Sequence, residues 1–502
     1  MQSLTHASTL VGIEARAVQV EVHLGKGLPG LDLVGLPEAA VRESRVRVRA
    51  ALTSTGFELP PRQVILNLAP AELRKRSAGF DLAIAIGLLS ASGACAPNLL
   101  DETLLIGELS LSGELRQVPG ILPQLASAKS RGLKRAIVPF GAAAEAALAP
   151  ELEIRLARNL GEVVAFLSST GTLPLAGPAD AEHIVEVGPD LCEVRGQAVG
   201  RRALEIAAAG AHPLLFSGPP GAGKTMLARR LPSILPPPTD EERLMLATIA
   251  SVAGLPVRGG MRPFRAPHHT ASVTAIVGGG DPIRPGEVTL AHLGVLFLDE
   301  LPELARPALE SLRTLLESGV AVVARAKERA SMPARPLLVG AMNPCPCGWH
   351  GEPRRLCICP PSRIASYRGR ISGPLLDRFD LQVALSAVEV SQVAHIPQGE
   401  TSAVVRERVV RARRRLQASG GLSPSFEVLL ERTQPDARRL LERAGDQLGL
   451  SMRAFVRALK VARTIAQLEG SDVAGKSHVA EALQYRLPDP TVPTSTDRVA
   501  RD

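Results

Sequence analysis

The sequence predicts an α/β protein of several domains, with a parallel sheet in the middle and helices after it. Three observations carry that expectation. A phosphate-binding loop follows an apolar strand-like run, a second apolar run ends in two carboxylates, and strand-helix alternation over about 181–385 turns helical from about 387. At 502 residues, the chain exceeds what one hydrophobic core sustains.

Residues 1–166 alternate short β-like runs with helical ones, and the Ser, Thr, Gly and Pro residues of 168–178 mark a linker placed over 167–180. The nucleotide motifs begin beyond it, in a core expected over 181–385. Gly218-Pro219-Pro220-Gly221-Ala222-Gly223-Lys224-Thr225 fits G-x-x-x-x-G-K-[ST] and stands behind Pro213-Leu214-Leu215-Phe216. Glycines let backbone N–H groups turn around phosphates, Lys224 brings a point charge to the β and γ oxygens, and the Thr225 hydroxyl suits Mg²⁺. The ligand class is therefore a nucleoside triphosphate, assigned as ATP with Mg²⁺.

Val295-Leu296-Phe297-Leu298-Asp299-Glu300 reads as a buried strand ending in Asp299 for the Mg²⁺ shell and Glu300 to orient or deprotonate the attacking water. Leu337-Leu338-Val339-Gly340-Ala341-Met342-Asn343 repeats the pattern, with Asn343 placed to touch the γ-phosphate or its water. Arg378, in Gly373-Pro374-Leu375-Leu376-Asp377-Arg378-Phe379-Asp380, fits either a surface salt bridge or a contact to the γ-phosphate of a neighbouring subunit. Arg453 opens an expected helix, 452–468, and fits either a contact to phosphates bound in its own chain or one of several solvated charges with Arg457 and Lys460. Helical residues fill 386–487, including an arginine-rich stretch at 404–416, and 488–502 reads as a frayed tail.

Two segments extend this core. The stretch from Lys224 to Asp299 is long for a minimal nucleotide fold and holds Arg262, Arg265, His268, His269 and Gly278-Gly279-Gly280. Basic residues on a glycine-flexible loop suit nucleic-acid backbone contact, while a hydrogen-bonded structural turn explains them as well. The alternation over 320–329 predicts a β-hairpin with Arg325, Lys327 and Arg329 near its tip. Four of six cysteines fall in Cys345-Pro346-Cys347 and Cys357-Ile358-Cys359, which predicts a structural Zn²⁺ site over 345–359 with His350 as a replacement ligand. Cys95 and Cys192 stand alone and read as packed thiols.

A formal charge of +8 favours an acidic partner, with nucleic acid the commonest. No apolar run has membrane-spanning length, and Glu14 and Arg16 interrupt any secretory leader, so the expected location is cytoplasmic.

Taken with Arg262-Pro263-Phe264-Arg265-Ala266-Pro267-His268-His269-Thr270 and Met342-Asn343-Pro344-Cys345-Pro346-Cys347-Gly348, these motifs resemble the Mg-chelatase-like AAA+ ATPases of the ComM (YifB) type nearly end to end. The resemblance implies a hexameric ring that moves branched DNA as a helicase during natural transformation and recombination. It also implies Walker, sensor and arginine-finger roles for Lys224, Thr225, Asp299, Glu300, Asn343, Arg378 and Arg453, and a pore-lining place for the second hairpin. Residues 1–166 resemble the Lon-type protease domain, with Ser77 in Arg76-Ser77-Ala78-Gly79-Phe80-Asp81 at the nucleophile position. Leu122 stands where the Lys base would be, so the domain is expected to be a non-proteolytic scaffold or a DNA-handling platform, the latter supported by Arg74, Lys75 and Arg76. Two rival functions remain: an ATP-dependent protease, and a chelatase-type motor acting on a protein partner.

Overall fold

The computed structural model describes residues 2–59, 61–95, 97–149, 151–177, 188–257, 261–325, 328–353, 355–387 and 395–486. Lys327 and the tail 488–502 therefore lie outside the described residues.

The first domain is built on a mixed seven-stranded sheet. Its strands lie in the order Gly30–Val34, Gln63–Ala69, Glu14–Leu24, Gln2–Val11, Thr103–Leu105, Arg135–Pro139, Glu153–Ala157. Alternation along Glu14–Leu24 buries Val18, Val20, Val22 and Leu24 on one face. The helix Asp81–Ser92, apolar around most of its circumference, lies on that face and is almost wholly buried. Its Gly87 is needed there, since a Cβ would stand 2.8 Å from a Val22 methyl.

Part of the expected linker is structural. Leu156 N–H donates to the Pro174 carbonyl at 2.9 Å and Ala176 N–H to the Ile154 carbonyl at 2.9 Å, so this segment extends the sheet along Glu153–Ala157. Leu173, 2% exposed, anchors it in the core. Gly and Pro suggested a linker, but the buried leucine decides the outcome.

The second sheet has five strands, all parallel, in the order Phe264–Arg265, Val295–Leu298, Leu337–Met342, Leu214–Ser217, Leu381–Ala384. Alternate side chains serve opposite layers. Leu214, Phe216, Val295, Phe297 and Val339 face one buried cluster with the helices Ala198–Gly210 and Lys224–Ile234, while Leu215, Leu296, Leu298 and Leu338 face another with Arg306–Ser318. The C-terminal helices Ser402–Ala418, Met452–Leu468 and Lys476–Gln484 share the first of these clusters through Val409, Leu459, Ile465 and Val479.

The hairpin Val320–Arg325 with Glu328–Pro333 pairs antiparallel down to Arg325 opposite Glu328. Among the described residues, no helix is long and apolar enough to cross a membrane.

Candidate nucleotide-binding site

In open parallel sheets, ligands bind at the carboxyl ends of the strands, and there the motif residues converge. Leu214–Ser217 runs into the phosphate loop, where Gly221 (φ 80°) and Gly223 (φ 86°) take left-handed conformations open to glycine. The loop feeds the N-terminus of Lys224–Ile234, whose unpaired N–H groups and dipole favour an anion. Ser217 is opposite Met342, which brings Asn343 alongside the loop. The Lys224 ammonium donates to the carbonyls of Gly218 (2.6 Å) and Pro219 (2.9 Å) and to Asn343 Oδ1 (3.0 Å). Burial pushes its pKa down, and the charges of Asp299 and Glu300 oppose that shift.

The Thr225 hydroxyl donates to Asp299 Oδ2 at 2.8 Å. A hydroxyl and a carboxylate oxygen meeting beside a helix N-terminus are the hard oxygen donors Mg²⁺ takes in phosphate sites, so the residues fit a magnesium-bound triphosphate. Glu300 has φ 49° and ψ 45°, a left-handed conformation that costs energy in a side-chain-bearing residue and is found at functional sites. His269 Nδ1 lies 3.0 Å from Glu300 Oε2.

Arg378 and Arg453 are elsewhere. Leu381 pairs with Leu214, at the start of the strands, so Arg378 lies at the amino edge of the sheet, across from the phosphate loop. It is ion-paired with Glu317. The same cleft is lined by Met452, Arg453, Val456, Arg457 and Lys460, with Arg457 Nε 3.4 Å from Asp380 Oδ1. Burial, then the cations of Arg457, Arg453 and Arg313, push the Arg378 pKa down. Arg453, opening the helix Met452–Leu468, lines the cleft of Arg378 together with Arg457 and Lys460, the grouping its reading as one of several charges expected.

The four clustered cysteines also meet. Cys345 Sγ is 3.3 Å from Cys347 Sγ and 3.6 Å from Cys357 Sγ, and with Cys359 all four sulfurs lie within 4.8 Å of one another. Four thiols so close fit one tetrahedral Zn²⁺, while His350 is exposed and outside the group. A backbone hydrogen bond from Trp349 draws the Cys347 thiol down to about 6, while burial and the neighbouring sulfurs push those of Cys357 and Cys359 up. The cysteine loop touches the nucleotide loop: a Cβ on Gly348 (φ 85°) would stand 2.6 Å from Pro220 Cδ. Cys95 is buried in the first domain's core, whereas Cys192 is only half-buried beside Asp190, correcting its reading as a packed thiol.

In the first insertion, most expected contact residues are engaged internally. Arg262 donates to Pro236 and Leu293 carbonyls at 2.7 and 2.8 Å and pairs with Glu242, and Arg265 makes a two-pronged pair with Glu287 at 2.6 and 2.7 Å. His268 bonds Thr270. Gly278–Gly279 pairs with Arg284–Pro285, and there the sequence reading missed Arg284, which is exposed. Its one signal was a cation flanked by prolines in a glycine-bounded loop. Arg325 and Arg329 are also exposed, and the Arg325 guanidinium lies against Gly279.

The first domain holds both insertions. Arg76, 9% exposed, pairs with Glu328 (2.6 Å), Asp281 (3.0 Å) and Glu38 (3.2 Å), and Arg74 with Glu38 (3.0 Å), so neither is a free cation for a DNA platform. Lys75 is fully buried with its ammonium on the Pro70 carbonyl. Ser77 Oγ accepts the Gly79 N–H at 3.0 Å, as a turn hydroxyl does. Leu122 is buried, its backbone N–H within 3.3 Å of both Ser251 Oγ and Glu145 Oε2. Ser251 belongs to Asp240–Ala253, so an ATPase-domain helix covers the position where a Lon-type base would stand.

Fold and site together define a P-loop nucleotide-binding protein of the AAA+ class. Residues 190–393 match the family described as magnesium chelatase, subunit ChlI; residues 20–142 match subunit ChlI of Mg-chelatase, and 399–486 its C-terminal region. The chain is 44% identical to YifB of Escherichia coli K12 over 97% of each chain, and 42% identical to YifB of Salmonella typhimurium LT2 over 97% of each. It is also 42% identical to the competence protein ComM of Haemophilus influenzae Rd, over 96% of this chain and 97% of the other. The chain belongs to the Mg-chelatase ChlI-like family of ATPases, with full-length homologues of the ComM and YifB type.

Proposed function

We propose that this protein is an ATP-driven motor, assembled as a ring of six, that promotes branch migration of recombination intermediates in natural transformation. The observation that carries this reading is the near full-length match to a competence protein. The exposed arginines of two adjacent hairpins supply a grip suited to it: Arg284, Arg325 and Arg329 offer phosphate contacts that ignore base sequence.

ATP binds with its phosphates in the loop 218–225, where Lys224 meets the β and γ oxygens. Thr225 and Asp299 would hold Mg²⁺, which when bound would supply charge neutralisation for the phosphates. Glu300 orients the attacking water and receives its proton, and Asn343 positions the γ-phosphate. Arg378 and Arg453, on the far edge of the sheet, serve the pocket of the neighbouring subunit, so hydrolysis requires assembly. Cys345, Cys347, Cys357 and Cys359 would hold Zn²⁺, which would contribute folding free energy to the loop beside Pro220.

A second reading, a chelatase-type motor that remodels a protein partner, is favoured by the family description itself. Turning Ser77 into a protease nucleophile is not supported, because the only partner described for its hydroxyl is the Gly79 N–H. The test is conversion of a synthetic four-way junction into duplex products with ATP and with a non-hydrolysable analogue. Conversion only with hydrolysable ATP is expected. Absence of DNA binding at low salt, or conversion without hydrolysis, would favour the protein-remodelling motor.

A further inference from the structure

We infer that His269 is a positioning residue for Glu300, tying the first insertion to the hydrolytic step; the inference rests on the ATPase reading of this site. Backbone register brings the two together. Phe264–Arg265 runs parallel to Val295–Leu298 with Arg265 opposite Leu296, and from that pair each segment runs on in the same direction, four residues to His269 and four to Glu300. The approach is fixed from behind. Val295 N–H donates to the Pro263 carbonyl at 2.8 Å, and the Arg265 guanidinium grips Glu287 with two bonds.

The side chains complete the contact. His269 Nδ1 is 3.0 Å from Glu300 Oε2, and the His268 ring covers the His269 ring at 4.1 Å between centroids, tilted by 32°. His268 is itself held, its Nδ1 2.8 Å from the Thr270 hydroxyl and 3.3 Å from the Thr270 N–H. Glu300 needs such a tether, since its side chain is 49% exposed and would otherwise sample several rotamers. With Nδ1 donating to Oε2, Oε1 is left for the water. In the step it serves, the water oxygen bonds to the γ-phosphorus, the bond to the bridging oxygen breaks with its electron pair leaving on ADP, and the water proton passes to Glu300. Small misplacements of a reacting group cost about 100-fold in rate, so the tether acts on turnover and not on nucleotide binding.

The experiment compares ATP affinity and turnover for the full-length protein and its His269→Ala, His269→Asn, His269→Gln, Glu300→Gln and His269→Ala/Glu300→Gln variants. His269→Ala should lower kcat by about 10- to 100-fold at unchanged KM and ATP affinity. The Asn side chain carries an amide nitrogen where Nδ1 stands, so His269→Asn should recover a large part of the loss. Gln, whose amide reaches the place of Nε2, should not. The double variant should turn over no more slowly than Glu300→Gln alone, the sign of two residues acting as one unit. If Glu300→Gln is inactive while His269→Ala turns over like the parent, or if Asn and Gln behave alike, the positioning role is overturned and the ATPase reading stands. If Glu300→Gln turns over like the parent, the assignment of Glu300 itself falls.

Discussion

The two edges of the parallel sheet differ in how complete they are. At the carboxyl edge the polar groups answer one another: Lys224 with Asn343, Thr225 with Asp299, Glu300 with His269. The amino edge gathers Arg378, Arg453, Arg457 and Lys460 around one cleft, against the carboxylates of Glu317 and Asp380. Like charges crowd there strongly enough that Arg457 and Arg453 contribute to the fall in the Arg378 pKa. One edge is a finished pocket. The other is a surplus of cations over the carboxylates of Glu317 and Asp380. The difference teaches that one chain can complete the polar partners of its pocket by itself, whereas the arginine cleft fits the proposed role toward a neighbouring copy.

The sharpest way to break this comparison is to remove Arg378. If the cleft serves a neighbour's γ-phosphate, Arg378→Ala should lower ATP turnover by about 10³-fold or more while leaving ATP affinity nearly unchanged. Mixing it with Lys224→Ala subunits should restore part of the activity, because some interfaces then pair an intact pocket with an intact arginine. Mixed assemblies that stay inactive at every ratio would return Arg378 to the role of a surface partner for Glu317.

On the pocket side, Glu300→Gln should slow hydrolysis by about 10²- to 10⁴-fold and leave ATP bound and unhydrolysed. Lys224→Ala should instead lose binding. A rapid-filtration assay of bound nucleotide separates the two outcomes. Equal loss of binding in both variants would show that Glu300 is part of the pocket's structure, with no separate part in hydrolysis.

Metal removal tests the support of the pocket. Elemental analysis should find about one zinc per chain. Because Gly348 packs on Pro220 and Cys345 follows Asn343 by two residues, chelation should lower both the melting temperature and ATP affinity, the latter several-fold. Metal-free protein with unchanged melting and unchanged ATP affinity would detach the cysteine loop from the nucleotide site.

What could be read in the sequence follows the range of the forces involved. The phosphate loop, Asp299 and Asn343 were legible because backbone direction and strand burial are local, and each motif carries its own strand. The insertion was not. Arg262 and Arg265 fitted either backbone contact or a structural turn until the fold brought Glu242 and Glu287 to them, 20 and 22 residues away. Arg76 is further still from its partner Glu328, which is 252 residues along the chain. For Arg453 the sequence left two readings open, since helical spacing does not say which edge of the sheet a helix end faces. Leu173 went unread in a Gly and Pro segment whose composition outweighed one apolar residue. His269 was visible as a residue, but its contact with Glu300 depends on the register of a two-residue strand, below what periodicity resolves.

The mildest prediction concerns the hairpins, and it asks whether the surplus of cations at the amino edge has a counterpart that meets a different polyanion. Arg284, Arg325 and Arg329 are exposed on neighbouring hairpins, whereas Arg262, Arg265 and Arg76 are spent on internal carboxylates. Replacing the exposed three with Gln keeps length and polarity and removes only charge, so basal ATPase and melting should be unaffected. Each arginine that no longer neutralises a phosphate should lower the slope of log affinity against log salt by about 0.9 on duplex DNA, and by about 0.7 on single strands. Replacing all three would therefore lower it by about 2.7 on duplex. Base sequence should not matter, because backbone contacts carry no sequence information. Fluorescence anisotropy on a labelled junction across a salt series reads this directly. An unchanged slope with unchanged junction conversion would leave the hairpins as structural props held by Arg76, and would place the DNA contact on another surface.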